Sequence, residues 1–281
     1  MKHKLYLVAF ILAFISCDVT PTLYEGEPNI CAIITADSTK ARVMVGLTAS
    51  VDDTLPVDTV VDTISGYIYT IVPWNGVSSA DVVIRSTEKE YIFKEDNDST
   101  GYYRTDSLSC EPGGALELEV SYPKGQNVKA STRIPGSFEV NFPEADTLFD
   151  TDTLQWTTSD GAAGYLIGFK VWWSFNIDTL IVDSYFVSPF LLSWDTTWIP
   201  AQTILSNIWG DSLRIYVSAL DTNAYDYMYY GQHIWEGLRV EDYMHIPGAW
   251  GVFGSKVDVG SKFYYMAMPD SMPFLSTRFF N

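Results

Sequence analysis

Leu116-Glu117-Leu118-Glu119-Val120-Ser121-Tyr122, followed by Pro123-Lys124-Gly125-Gln126, decides the fold. Leu116, Leu118, Val120 and Tyr122 alternate with Glu117, Glu119 and Ser121, the period of a strand with one face in a core and one in water. The tetrapeptide after it is a turn with a mechanism, because proline sets φ and glycine supplies a positive φ. The same alternation runs through Ala41, Val43, Val45 and Leu47, and again through Leu213, Ile215, Val217 and Ala219. Pro112-Gly113-Gly114 and Asn97-Asp98-Ser99-Thr100-Gly101 punctuate the chain in the same way. Many short strands between turn clusters predict an all-β protein built from two antiparallel β-sandwiches.

A short helix is expected after Pro200, where a first-turn proline is tolerated and Ile204, Leu205, Ile208 and Trp209 form a stripe ended by Gly210. From Tyr225 to Trp235 the periodicity leaves a helical turn and an aromatic-rich loop both open. The chain of 281 residues suits two modest domains, and the pattern changes near Ile134-Pro135-Gly136. Residues 17–135 are read as one sandwich and 136–281 as the second, with an acidic link from Asp146 to Thr153. In the second, Leu154-Gln155-Trp156 and Gly164-Tyr165-Leu166-Ile167 look like the opening of a fibronectin type III domain, and Arg214 to Asp221 resembles its penultimate strand.

Lys2 and Lys4 lead into an apolar run, Leu5 to Ile15, too short to span a bilayer comfortably, which stops at Ser16-Cys17. Residues 1–16 read as a secretory signal, and Phe14-Ile15-Ser16-Cys17 resembles a bacterial lipoprotein box, with Phe14 where leucine is usual. Cys17 is then the lipidated residue. At ~0.8 kcal/mol per buried methylene, its acyl chains anchor the domains to a membrane. Asp18 is a residue that holds lipoproteins at the inner membrane in some bacteria, so the choice of membrane and face stays open.

Hydrophobic residues make up 47% of the chain, enough for real cores, and the net charge of −18 disfavours nucleic acid and anionic lipid surfaces. Beyond Cys17 the cysteines are Cys31 and Cys110, which suit either one disulfide in an oxidising compartment or two buried thiols on separate strands.

The chain is similar to an uncharacterised family of two-domain bacterial outer-membrane lipoproteins. The likeness is carried by the lipobox, Ala80-Asp81-Val82-Val83-Ile84, Gly101-Tyr102-Tyr103, Pro112-Gly113, Tyr122-Pro123-Lys124-Gly125 and Arg133-Ile134-Pro135. Ser218-Ala219-Leu220-Asp221 with Tyr225 and Tyr227, and the terminal Gly251-Val252-Phe253-Gly254-Ser255, complete it. The resemblance implies a prealbumin-like first sandwich, an outer-membrane address and an outer-membrane uptake receptor or other surface protein as partner. It implies no reaction and no cofactor.

The residues themselves offer little chemistry. Only His233 and His245 follow the signal, and Gly-x-Ser-x-Gly is missing, so neither a Ser-His-Asp system nor a metal site with clustered ligands is indicated. With 35 acidic residues a glycosidase pair cannot be picked by counting. Asp146, Asp150 and Asp152 suit a solvated hinge better than a calcium loop.

The aromatics are the stronger lead. Trp172 shares strand parity with Gly168 and Lys170, and if Phe169, Val171 and Trp173 face the core, Trp172 lies outside as a binding residue. The alternative packs both indoles under a loop, and Tyr225, Tyr227, Tyr229 and Tyr230 are open in the same sense; Trp250 reads as structural. The function expected is a non-catalytic binding or accessory module of a surface complex. The competing readings are a carbohydrate-active hydrolase and a structural spacer. Substituting Cys17→Ser should move the protein from the membrane to the soluble fraction on ultracentrifugation; a variant that still sediments would place the anchor elsewhere.

Overall fold

The computed structural model describes residues 26–49, 58–61, 68–71, 75–177, 179–208, 210–231 and 243–266. The signal segment, Cys17 and His233 lie outside these. The first part of the chain forms β1 (Pro28–Thr35), β2 (Ala41–Leu47), β3 (Asp58–Val61), β4 (Ile68–Ile71), β5 (Asp81–Ser86) and β6 (Glu90–Asp96). It continues with β7 (Ser99–Thr105), β8 (Ala115–Ser121) and β9 (Asn127–Arg133). The second part forms β10 (Val140–Asn141), β11 (Thr147–Leu148), β12 (Thr153–Trp156), β13 (Gly164–Ile177), β14 (Thr179–Ser193) and β15 (Trp198–Pro200). It ends with helix α1 (Ala201–Leu205), β16 (Ser212–Leu220), helix α2 (Thr222–Gly231) and β17 (Trp250–Met266).

In the second part, β10-β12-β15 packs as a three-stranded sheet against β14-β13-β16-β17, the two-layer strand arrangement of a fibronectin type III sandwich. Trp156 and Phe138 meet Tyr165 between the layers at ring distances of 5.5 and 5.7 Å, and the Tyr165 hydroxyl accepts from Ser159 N–H at 2.8 Å. In the first part the ladder runs β1-β2-β7-β6-β5-β8-β9 and curls back until β9 touches β17. Every inward residue named for β8 is buried and both glutamates face out. Gly125 takes φ +89°, and Tyr122 N–H donates to Gln126 O at 2.8 Å, closing the Pro123 turn.

Two expectations change. The turn after β6 is shorter than Asn97–Gly101, because Ser99, Thr100 and Gly101 already belong to β7. Gly101 keeps a positive φ of +79° for a different reason: a Cβ there would sit 2.5 Å from both the Gly76 Cα and the Val45 oxygen. Nearby, the buried Tyr103 hydroxyl accepts from Ala80 N–H and donates to Val77 O, both at 2.8 Å. The pairing is also not purely antiparallel. The first seven residues of β17 run parallel to β1, from Asn29↔Trp250 to Thr35↔Lys256, and β11 pairs parallel to its far end. The long β17 therefore serves both sandwiches in one continuous sheet. The parallel join depends on Gly251, with φ +104°, since a Cβ there would lie 1.9 Å from the Ile30 oxygen.

The cysteines do not form a bridge: Cys31 and Cys110 are free thiols. Cys110 Sγ lies 3.7 Å from the Thr35 oxygen, and Cys31 is four residues back along β1. That is about 13 Å of extended chain, beyond the roughly 7 Å a disulfide spans.

Asp221 locks the joint. Its Oδ1 accepts from Ser255 N–H on β17 and from Ala224 N–H, each at 2.9 Å, which makes it the N-cap of α2. Its Oδ2 accepts from the Thr132 hydroxyl on β9, and Thr132 and Ser255 share a further hydroxyl contact of 2.9 Å. Asn223 ties the same corner by donating to Ser131 O and Phe253 O. Burial pushes the Asp221 carboxyl up from its ordinary value, and the donors from Ser255, Thr132, Ala224 and Asn223 pull against that. Asp221→Ala strands buried donors and removes a cap, so a loss of about 3 kcal/mol is expected in urea unfolding. Asp221→Asn keeps the Oδ1 acceptor and should lose less than half as much; equal losses would mean that the Oδ1 hydrogen bonds to Ser255 and Ala224 are not what holds the corner.

Candidate functional site

Strand register builds an aromatic face on the outside of β13-β16-β17. Phe169, Val171, Leu213, Ile215 and Tyr264 are buried inward, so the intervening residues must point out. Two rows result across the three strands: Lys170, Arg214 and Phe263, then Trp172, Ser212 and Tyr265. Ser212 is small, which lets the Trp172 ring close over it to within 5.6 Å of Phe263, leaving the serine only 8% exposed. Phe263 meets Tyr265 edge-on at 5.4 Å, and Lys170 Nζ lies 5.3 Å from the Trp172 ring. Tyr265 is 59% exposed and Phe263 36%. Large rings left in water beside a flat strand surface are the material of binding hot spots.

Charge sharpens this. The chain carries −18 overall, yet this face presents Lys170 and Arg214. Lys262, behind it, donates to the Pro143 and Glu144 carbonyls and positions the strand that carries Phe263. Aromatic rings with cations among them suit a partner surface that brings carboxylates.

A second feature is a groove of about 360 Å³ on the outer face of β8 and β9, lined by Arg85, Glu117, Glu119, Lys129, Ser131 and His245 among others. Glu119 receives Arg85 at 2.5 Å, Asn127 at 3.1 Å and Lys129 at 3.2 Å. The Arg85 hydrogen bond, then those of Asn127 and Lys129, hold its carboxyl down at about 2. Glu119 is thus a fixed anion rather than an acid near neutral pH. His245 Nε2 pairs with Asp226 Oδ2 at 2.8 Å, fastening the segment before β17 to α2. Among the described residues, the carboxyl raised by burial, Asp221, is sealed in the joint between the sandwiches. A glycosidase pair needs such an acid facing a second one across open space.

Trp172 lies on the outer face, as its parity requires, half-buried by Phe263. Tyr225, Tyr229 and Tyr230 lie on α2, where Tyr225 and Tyr229 stack at 5.8 Å and Tyr230 approaches Tyr243. Tyr225 packs over Gly164, where a Cβ would meet its ring at 2.2 Å. Tyr227 lies near Cys31, whose thiol burial pushes up. Trp250 donates to Glu27. The acidic link is folded in: Asp146 O accepts from Tyr265 N–H at 2.7 Å, and Asp152 accepts from Phe149 N–H at 2.8 Å. Among the described residues no group of three or more His, Cys, Asp or Glu could hold a metal. Phe263 and Tyr265 do not stand out in the sequence, because Tyr264 between them makes either parity look apolar.

No family model matches the chain, and no curated protein matches it. Among solved structures it is similar to the two-domain fibronectin type III segment of chicken tenascin, with 9% identity over 69% of this chain and 91% of that one, at a TM-score of 0.21. The fibronectin type III-like assignment made above rests on strand order.

Because Glu119 ionises well below the ordinary carboxylate value of 4.5, its contribution to stability is present above that pH and is lost as pH falls toward about 2. Glu119→Gln should therefore lower stability at pH 7 and flatten the acid limb of a stability–pH curve, with the difference from the parent vanishing as pH falls toward about 2. An unchanged acid limb would show that the cluster does not couple to folding.

Proposed function

We propose that this chain is a lipid-anchored outer-membrane protein of the uncharacterised two-domain lipoprotein family, acting as a non-catalytic binding module in a surface complex. The address rests on the basic start, the apolar run and Cys17. The observation that carries the binding role is the Trp172, Phe263 and Tyr265 cluster with Lys170 and Arg214 beside it, on the outside of the fibronectin type III-like sheet. A spacer has no use for that much exposed ring surface. The partner this reading favours is an outer-membrane receptor presenting acidic side chains.

Replacing Trp172 and Tyr265 together by alanine tests this. Both rings are outside the core, so the variant should fold with stability within about 1 kcal/mol of the parent. In its own cells it should stay in the membrane fraction but lose cross-linking to the outer-membrane receptor by tenfold or more. Undiminished cross-linking would overturn the assignment of this face. Hydrolysis of a glycan by the parent, abolished by changing one acidic side chain, would overturn the non-catalytic role.

A further inference from the structure

We infer that the outer edge of β14 is a docking edge for an extended strand donated by a partner protein. The inference deepens the binding role proposed above and rests on it. β14 ends the ladder, and among the described residues its one strand neighbour is β13. An edge strand presents a row of backbone N–H and C=O groups to whatever arrives. Proteins usually blunt such edges by keeping them short, by charging them, or by bulges and proline. β14 is 15 residues long, and Asp183 is its single charged residue.

Apart from Asp183, what blunting exists is confined to one end. Pro189 lies there, where the register with β13 shifts between Ile167 and Phe169. From Phe169↔Val187 to Ile177↔Thr179 the pairing is unbroken. Beyond Trp172, β13 also leaves β16 behind, so residues 173–177 pair with β14 alone among the described residues. A two-stranded ribbon is marginal in water until a further strand or layer joins it. The ribbon's sequence, with Phe175, Ile177, Leu180, Ile181 and Val182, is that of a strand meant for company.

The occupant follows from chemistry. A lipid surface offers nothing to hydrogen-bond a strand edge. A second copy would bring another −18 alongside the first and set identical Asp183-bearing strands together. An extended, apolar, non-acidic segment of a different chain meets both demands, as in strand addition generally. It would extend the same sheet whose outer face carries Trp172.

Hydrogen exchange read by mass spectrometry, on the tagged full chain alone and on the complex isolated from its own envelope, tests the inference. Peptides covering residues 179–187 should exchange at least tenfold more slowly in the complex. Tyr185→Pro and Phe186→Pro supply the second readout, because consecutive N–H groups point to opposite edges. Whichever variant keeps the parent's melting temperature has lost only an outward donor, and it should lose the complex. Protection already present in the isolated chain, or a complex holding two copies of this chain and nothing else, would overturn the inference. A complex whose 179–187 peptides exchange unchanged would overturn it while the proposed function stands. Recovery of the chain by itself would overturn both.

Discussion

The rest of the molecule depends on β17 being shared. Its first half completes the sheet that begins with β1, and its second half completes the fibronectin type III-like layer beside β16. A strand with backbone partners in both bodies leaves neither able to turn against the other without breaking main-chain hydrogen bonds. Asp221 adds the side-chain lock at the same place, drawing β9, α2 and β17 onto one carboxylate. The glycines there are not interchangeable with other residues. Gly251 admits the Ile30 carbonyl, and Gly254 admits Ala224, whose N would lie 2.7 Å from any Cβ.

This rigidity gives the exposed features their meaning. The aromatic face and the β14 edge belong to one sheet, and that sheet is continuous through β17 into the first sandwich. A partner that grips the outer strand is held in fixed geometry relative to the whole body. The first sandwich contributes a charged outer surface in which Arg85, Glu119 and Lys129 largely satisfy one another. Such a mutually paired cluster has little left to offer a ligand, whereas the rings around Trp172 have no inward role.

How much of this could be read from residues depends on the range of the interaction. β2, β8 and β16 were legible because half-burial writes a period of two into a single strand, and the Pro123-Gly125 turn because its dihedrals need those residues. Trp156 and Tyr165 signalled the second core for the same local reason. The parallel union of β1 and β17 left no such trace: a strand looks the same whichever strand lies beside it, and these two stand at opposite ends of the chain. The sequence leaves helix α2 undecided because Tyr225, Tyr227, Tyr229 and Tyr230 form no stripe, and its cap, Asp221, reads as the end of a strand. The acidic stretch from Asp146 reads as a linker because its anchorage to Tyr265 runs through backbone atoms. On the candidate face, Trp172 was found by parity alone, while Phe263 and Tyr265 were hidden by the buried Tyr264 between them.

The position of β1 also constrains the order of events during synthesis. It leaves the ribosome more than two hundred residues ahead of its parallel neighbour, so the joint cannot close until β17 has been made. Contacts separated by more than two hundred residues are slow to form. Until they do, the first sandwich has an open margin and α2 has no floor of glycine and alanine to settle on. Folding to completion therefore waits on β17, and a chain cut short anywhere before Trp250 would lose the architecture of both halves rather than of one.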